Sequence, residues 1–204
     1  MRGTVLPPGR LGLAAALLVL PAALAGQGEE GGQEPDMVYV EGYYIDRYEY
    51  PNRAGSLPRV EVSWEEARQL CAAAGKRLCT DSEWQRAAMG TQGYAYGYGP
   101  EFEPGRCNTP YEEDGAWRRD RGAAASGSFA GCTTPCGAAD MIGNVWEWVD
   151  ARYVPDKEWR VVRGGSWFNS VNMARADYRY GAFLEPTYRL DLIGFRCCQS
   201  GSGE

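Results

Sequence analysis

In this 204-residue chain, the groups best placed to do chemistry lie in Asp140-Met141-Ile142-Gly143-Asn144-Val145-Trp146-Glu147-Trp148. Asp140 and Glu147 bracket a Gly143-Asn144 turn, and an ionised carboxylate can only accept hydrogen bonds. The turn frees main-chain carbonyls between them. Carboxylates and main-chain oxygens in one tight loop form a chelating set for a hard cation such as Ca²⁺, which takes oxygen ligands at about 2.3–2.6 Å. Residues two apart share a side of an extended segment, so Trp146 and Trp148 face one way and Glu147 the other. The same pattern also suits a buried tryptophan corner in which Glu147 is a satisfied structural acceptor. A further group of oxygen-bearing residues, Asn108, Asp114 and Asp120, lies upstream.

The composition removes other chemistries. The chain has no histidine, which eliminates imidazole bases, Ser–His and Cys–His pairs, and most zinc, haem and non-haem iron sites. A net charge of −6, with the acidic groups dispersed, predicts a soluble surface poorly suited to nucleic acid or anionic membrane.

The elements that must position the motif begin after an export pattern. Arg2 and Arg10 precede an apolar run, Leu11 to Leu24, that closes on Ala23-Leu24-Ala25. Residues 1–25 read as a signal peptide cut before Gly26, and 26–36 as a disordered leader. The run is too short to span a membrane comfortably, so a secreted, periplasmic or extracellular domain without a transmembrane span is expected over 37–199, with a frayed tail at 200–204. Export places the seven cysteines where disulfides persist, and the odd count leaves one thiol without a partner in the chain.

Met37–Val40 and Tyr43–Tyr50 are β-branched and aromatic, which predicts two short strands or a hairpin. Ser63-Trp64-Glu65-Glu66 is a capping box opening a helix to about Ala74, with Trp64, Ala67, Leu70, Cys71 and Ala74 on its apolar stripe and Gly75 as its stop. Thr80-Asp81-Ser82-Glu83 opens a second helix, with Trp84, Ala87 and Ala88 inward and Gly90 at its end. From Gly90 to Ala138 there is almost no periodicity, which predicts a long loop held by disulfides or ions. Arg160–Arg163 reads as a strand before a Gly164-Gly165 irregularity, and Leu192–Cys198 as one terminal strand.

Several motifs occur together, in order: Tyr44-Ile45-Asp46-Arg47-Tyr48-Glu49, Val62–Ala67, Gly75–Leu78, Glu83-Trp84, Gly143–Trp148, Arg163–Trp167 and Gly194–Cys197. In this the chain resembles the formylglycine-generating enzyme, or sulfatase-modifying factor, family from about Met37 to Cys198. The resemblance implies an α+β fold, a C-type lectin-like variant with two short helices, small twisted antiparallel sheets and much loop. It also implies structural Ca²⁺, bound by Asp140, Gly143, Val145 and Glu147, with a second site at Asn108, Thr109, Asp120 and Gly122. Catalytic members carry two cysteines beyond the Gly-Gly-Ser-aromatic turn that bind Cu(I) and oxidise a substrate cysteine to formylglycine. Here those positions hold Asn169 and Ala174. Soft Cu(I) selects thiolates, and neither an amide oxygen nor a methyl replaces them. The family's iron sulfoxide synthases use histidines that this chain lacks.

The resemblance further implies a Cys71–Cys197 disulfide. Cys198 points to the opposite face of the strand, and Cys107–Cys132 together with Cys79–Cys198 or Cys79–Cys136 are the next pairings expected. A displaced redox or zinc pair at Cys132 and Cys136 is the catalytic alternative. Trp167, Asn169, Arg175 and Tyr178, with Arg163, Arg179, Arg196 and Tyr180, are expected around a retained cleft, although each arginine alone also suits a neighbouring carboxylate. The expectation is a non-catalytic, calcium-stabilised module for a protein, peptide or glycan ligand. The alternative is an oxidase using displaced thiols.

Overall fold

The computed structural model describes Met1, Gly3, Thr4 and residues 36–201. The expected signal peptide and leader therefore lie almost entirely outside the described residues, as do residues 202–204 of the expected tail. All the helices and strands belong to the compact unit Glu34–Glu204.

Strands β1 (Met37–Val40) and β2 (Tyr43–Asp46) form the expected hairpin, turning at Glu41 and Gly42 with φ of 40° and 102°. Helix α1 (Trp64–Ala73) carries both reciprocal bonds of the capping box, Ser63 with Glu66. It stops at Gly75, φ 72°, where Lys76 and Gly75 N–H return to the Cys71 and Ala72 carbonyls. That is a Schellman closure. The buried stripe is Trp64, Ala67 and Cys71. Ala74, expected on it, is exposed because the helix has already ended. After β3 (Arg77–Leu78), helix α2 (Asp81–Met89) has its own capping box between Thr80 and Glu83 and buries Trp84, Ala87 and Ala88.

The long segment after Gly90 is less formless than its sequence suggests. It holds a hairpin, β4 (Tyr111–Glu113) and β5 (Ala116–Arg118), turning at Asp114-Gly115 with φ of 52° and 73°. An Asp-Gly pair suits a tight turn that needs positive φ at both positions. Each strand is three residues long, Tyr-Glu-Glu and Ala-Trp-Arg, too short for alternation to give a signal.

Strand β6 (Trp146–Arg152) is central to a sheet ordered β8-β7-β6-β9, with β7 at Arg160–Arg163, β8 at Arg179–Tyr180 and β9 at Ile193–Phe195. The β6–β9 pair is parallel, and the other pairs in this sheet are antiparallel. Strand β10 (Cys197–Ser200) joins the other sheet, ordered β1-β2-β10-β3. The single terminal strand expected over Leu192–Cys198 is thus two strands in two sheets, and buried Arg196 marks the crossover. Ser200, expected in the tail, belongs to β10.

Because side chains alternate along β6, it separates two cores. Trp146 and Trp148 pack with Trp64, Val62, Ile193 and Phe195. Val149 packs on the other side with Trp84, Ile45 and Met141. Three disulfides tie the layers together: Cys71–Cys197, Cys79–Cys198 and Cys107–Cys132. Cys79–Cys136, the other pairing considered, does not form, and Cys136 is the free thiol among the described residues. Adjacent Cys197 and Cys198 point to opposite faces, so each reaches a different partner.

Candidate functional site

The turn before β6 is built by backbone that few side chains adopt. Asp140, Gly143 and Asn144 have φ of 56°, 77° and 52°. A Cβ on Gly143 would lie 2.4 Å from the Asn108 carbonyl oxygen, so only glycine lets the central loop approach the Asn108 segment this closely. The Asn144 N–H donates to that carbonyl at 2.8 Å.

Asn144 is the hub of the site. Its Nδ2 donates to Glu49 Oε1 at 2.7 Å and to the Ala124 carbonyl, while its Oδ1 accepts from Asn108 Nδ2 and Ala124 N–H. Ser126 Oγ donates to the other Glu49 oxygen at 2.6 Å. Glu147 points away from its flanking tryptophans, as alternation required. It accepts from Trp84 Nε1 at 2.6 Å and from Arg196 Nε and Nη2 at 2.7 and 2.8 Å. The remaining Arg196 donors meet the carbonyls of Asp46, Arg47 and Ala139. Arg196, expected beside the cleft, is instead the fully buried counter-ion of Glu147; its five N–H groups are all used, and a guanidinium out of water requires such saturation.

Glu49, Asp140 and Glu147 are all buried, and Arg196 is the counter-ion near all three. Burial pushes the Glu49 carboxyl up to about 7, and the charge of Asp140 adds to this. Burial likewise raises Asp140 to about 6, against the pull of the Gly127 N–H bonded to Oδ2 and of Arg196. Fully ionised, three carboxylates facing one guanidinium leave two negative charges in excess, an imbalance that a divalent cation neutralises. Among the described residues no group of three or more acidic or thiol side chains is arranged to hold an ion by itself. A cation here would therefore depend on main-chain oxygens such as those of Gly143 and Val145 as well as on Asp140 and Glu147. Carboxylate and main-chain oxygens are the donor type that Ca²⁺ takes.

The upstream set is linked to this one. Asn108 is buried, its Nδ2 also donates to the Gly122 carbonyl at 2.9 Å, and its Oδ1 has no hydrogen-bond partner among the described residues. An orphaned buried oxygen beside a carbonyl is what a hard cation would satisfy. Thr109 is buried next to it, whereas Asp120 is exposed and accepts from the Tyr111 hydroxyl.

The two positions of the missing thiolates have different surroundings. Asn169 Oδ1 accepts from Trp146 Nε1 at 2.7 Å and Ser166 Oγ at 2.6 Å. Asn169 lines a groove of about 360 Å³ whose walls include Trp146, Met173, Tyr180, Tyr188 and Leu190. Ala174 is fully buried in the Trp84 core, against Gly165. Of the residues expected around a cleft, Asn169 and Tyr180 line this groove; Tyr178 packs on Trp146 from outside its lining. Arg175 forms a two-pronged pair with Asp177, while Arg163 and Arg179 converge on Asp81 at the start of α2. Trp167 stacks edge-on against Phe168. The redox or zinc pair considered at Cys132 and Cys136 does not exist, because Cys132 is bonded to Cys107.

Sequence reasoning missed Glu49, Ser126 and the hub role of Asn144. The signal for Glu49 was a carboxylate flanked by two tyrosines, Tyr48 and Tyr50.

Two four-stranded sheets, a separate hairpin, two capped helices and a loop-borne oxygen cluster under a central Trp-Glu-Trp strand define a C-type lectin-like α+β domain of the sulfatase-modifying type. The sulfatase-modifying factor enzyme 1-like domain model matches residues 29–200, and the chain belongs to that family. It is 37% identical over 164 residues to the inactive C-alpha-formylglycine-generating enzyme 2 of Bos taurus, covering 72% of this chain and 51% of that protein. It is 38% identical over 114 residues to the formylglycine-generating enzyme of Mycobacterium tuberculosis, covering 51% of this chain and 36% of that one. The chain thus spans about half the length of its inactive relative. Among solved structures, PvdO from Pseudomonas aeruginosa superposes with a TM-score of 0.58 at 23% identity, covering 83% of this chain and 70% of that one. Among the described residues no helix is long and apolar enough to cross a membrane.

Proposed function

We propose that this is a secreted, calcium-stabilised, non-catalytic member of the family, a ligand- or protein-binding accessory domain. The observation that carries the reading is what occupies the two thiolate positions. Asn169 is tied to Trp146 and Ser166, and Ala174 is a methyl sealed in the core. No thiolate pair replaces them, since six of the seven cysteines are in disulfides and Cys136 has no second thiol beside it. Similarity to a relative named inactive supports the same reading.

The retained groove beside Asn169 supports a binding role, with aromatic and aliphatic walls and one carboxamide in its lining. Calcium, held by Asp140, Glu147 and the Gly143 and Val145 carbonyls, would supply the positive charge that the buried carboxylates need, with a second ion at Asn108, Thr109, Asp120 and Gly122. Secretion is supported by the leader pattern and by three disulfides, which persist in oxidising compartments. The test is to incubate the purified chain with Cu(I), oxygen and a sulfatase-type cysteine peptide. The peptide mass should remain unchanged, and an aldehyde product would refute the reading.

A further inference from the structure

The segment just after β5 carries two arginines without a carboxylate partner among the described residues. Arg119 and Arg121 stand among Glu112, Glu113, Asp114 and Asp120, yet neither guanidinium meets a carboxylate among the described residues. Arg119 lies 5.8 Å over the Phe168 ring and Arg121 3.7 Å over Tyr111. Two of the nearby carboxylates are engaged elsewhere, Glu113 with Arg118 and Asp120 with the Tyr111 hydroxyl. Trp117 is 54% exposed and Phe168 43%. Between the hairpin and the segment after Phe168, Pro110, Trp117, Arg119, Ser170, Val171 and Asn172 enclose a cavity of about 230 Å³.

A guanidinium stacked on a ring keeps its N–H edge free for an anion, and its planar fork matches a carboxylate. The cavity lies below the range of about 300–1,000 Å³ that holds a drug-sized ligand, so it suits one ring-sized group. Its walls combine an exposed indole with side-chain donors. Among the described residues the Ser170 hydroxyl is used only as an acceptor from Asn172 N–H, and the Asn172 carboxamide has no partner. An apolar side chain would leave these groups and Arg119 unpaired.

We propose that this cavity binds an acidic sugar unit, a hexuronate ring. Its C–H face lies on Trp117, its carboxylate meets Arg119, and its hydroxyls reach Ser170 and Asn172. The site is separate from the groove beside Asn169, and the proposal does not depend on the absence of catalysis.

The test is calorimetric titration of the full chain with a glucuronic acid tetrasaccharide, a glucose oligosaccharide of equal length, and a glutamate-containing peptide of equal charge. The uronate should bind at least about tenfold more tightly than either of the others. Trp117→Ala and Arg119→Gln should each weaken it about tenfold with unchanged melting temperature, and Arg119→Lys should retain part of the affinity. Equal binding of the neutral sugar, preference for the peptide, no binding of the uronate, or indifference to both substitutions would overturn the proposal.

Discussion

Arg196 and Glu147 are out of water, and each answers the charge of the other. Replacing one member of such a pair strands the other, which typically costs about 3–5 kcal/mol. Arg196→Met should therefore lower stability by about that amount in urea unfolding, whereas replacing exposed Arg118, paired with Glu113 at the surface, should change it by less than about 1 kcal/mol. Glu49 and Asp140 add a pH dependence. Their ordinary values of 4.5 and 3.8 rise to about 7 and about 6 in the fold, so the folded chain binds protons more tightly than the unfolded one. Their contribution to stability is complete below about pH 4 and is lost as pH rises through 6 to 7. Glu83 and Asp177 are lowered and act in the opposite sense, but only in the acid range. Melting temperatures of calcium-free protein should thus fall between pH 5 and 7.5, and calcium should flatten that slope by taking the place of the protons.

At the scale of elements, both helices are specified locally, which is why their sequence was so readable. Ser63 and Thr80 each complete a capping box, and Ser63→Ala or Thr80→Ala should each cost about 1 kcal/mol in thermal or urea unfolding. The first hairpin and β7 were equally legible from β-branched and aromatic runs. What escaped was set by tertiary contact. The β4–β5 hairpin shows no alternation because it packs little apolar surface. The break at Arg196 is invisible in an otherwise apolar terminal run, since it exists only to carry the guanidinium to Glu147. The Trp-Glu-Trp facing followed from alternation alone, while the reach from Glu49 to Asn144 spans 95 residues and no local pattern encodes it. The Cys71–Cys197 disulfide closes a span of 126 residues. Its removal as a paired Cys→Ala variant should cost about 4–5 kcal/mol in the chain-entropy account.

In the whole molecule, the oxygen cluster lies between the two cores and touches the loop, both sheets and α2 through Trp84. An ion bound there only by the folded state would stabilise the entire domain by mass action. EDTA should lower the melting temperature and added Ca²⁺ restore it; identical melting in both conditions would remove calcium from the account. The groove beside Asn169 and the cavity beside Trp117 flank the same segment, Asn169 and Met173 lining the one and Ser170, Val171 and Asn172 the other.

The most direct measurement is competition for Cu(I) between the oxidised, disulfide-intact protein and a chromogenic chelator. With Asn169 and Ala174 in place of sulfur, the chelator should retain all the copper at every protein concentration. Stoichiometric withdrawal of Cu(I) by the protein, with a thiolate-to-copper charge-transfer band, would contradict the account.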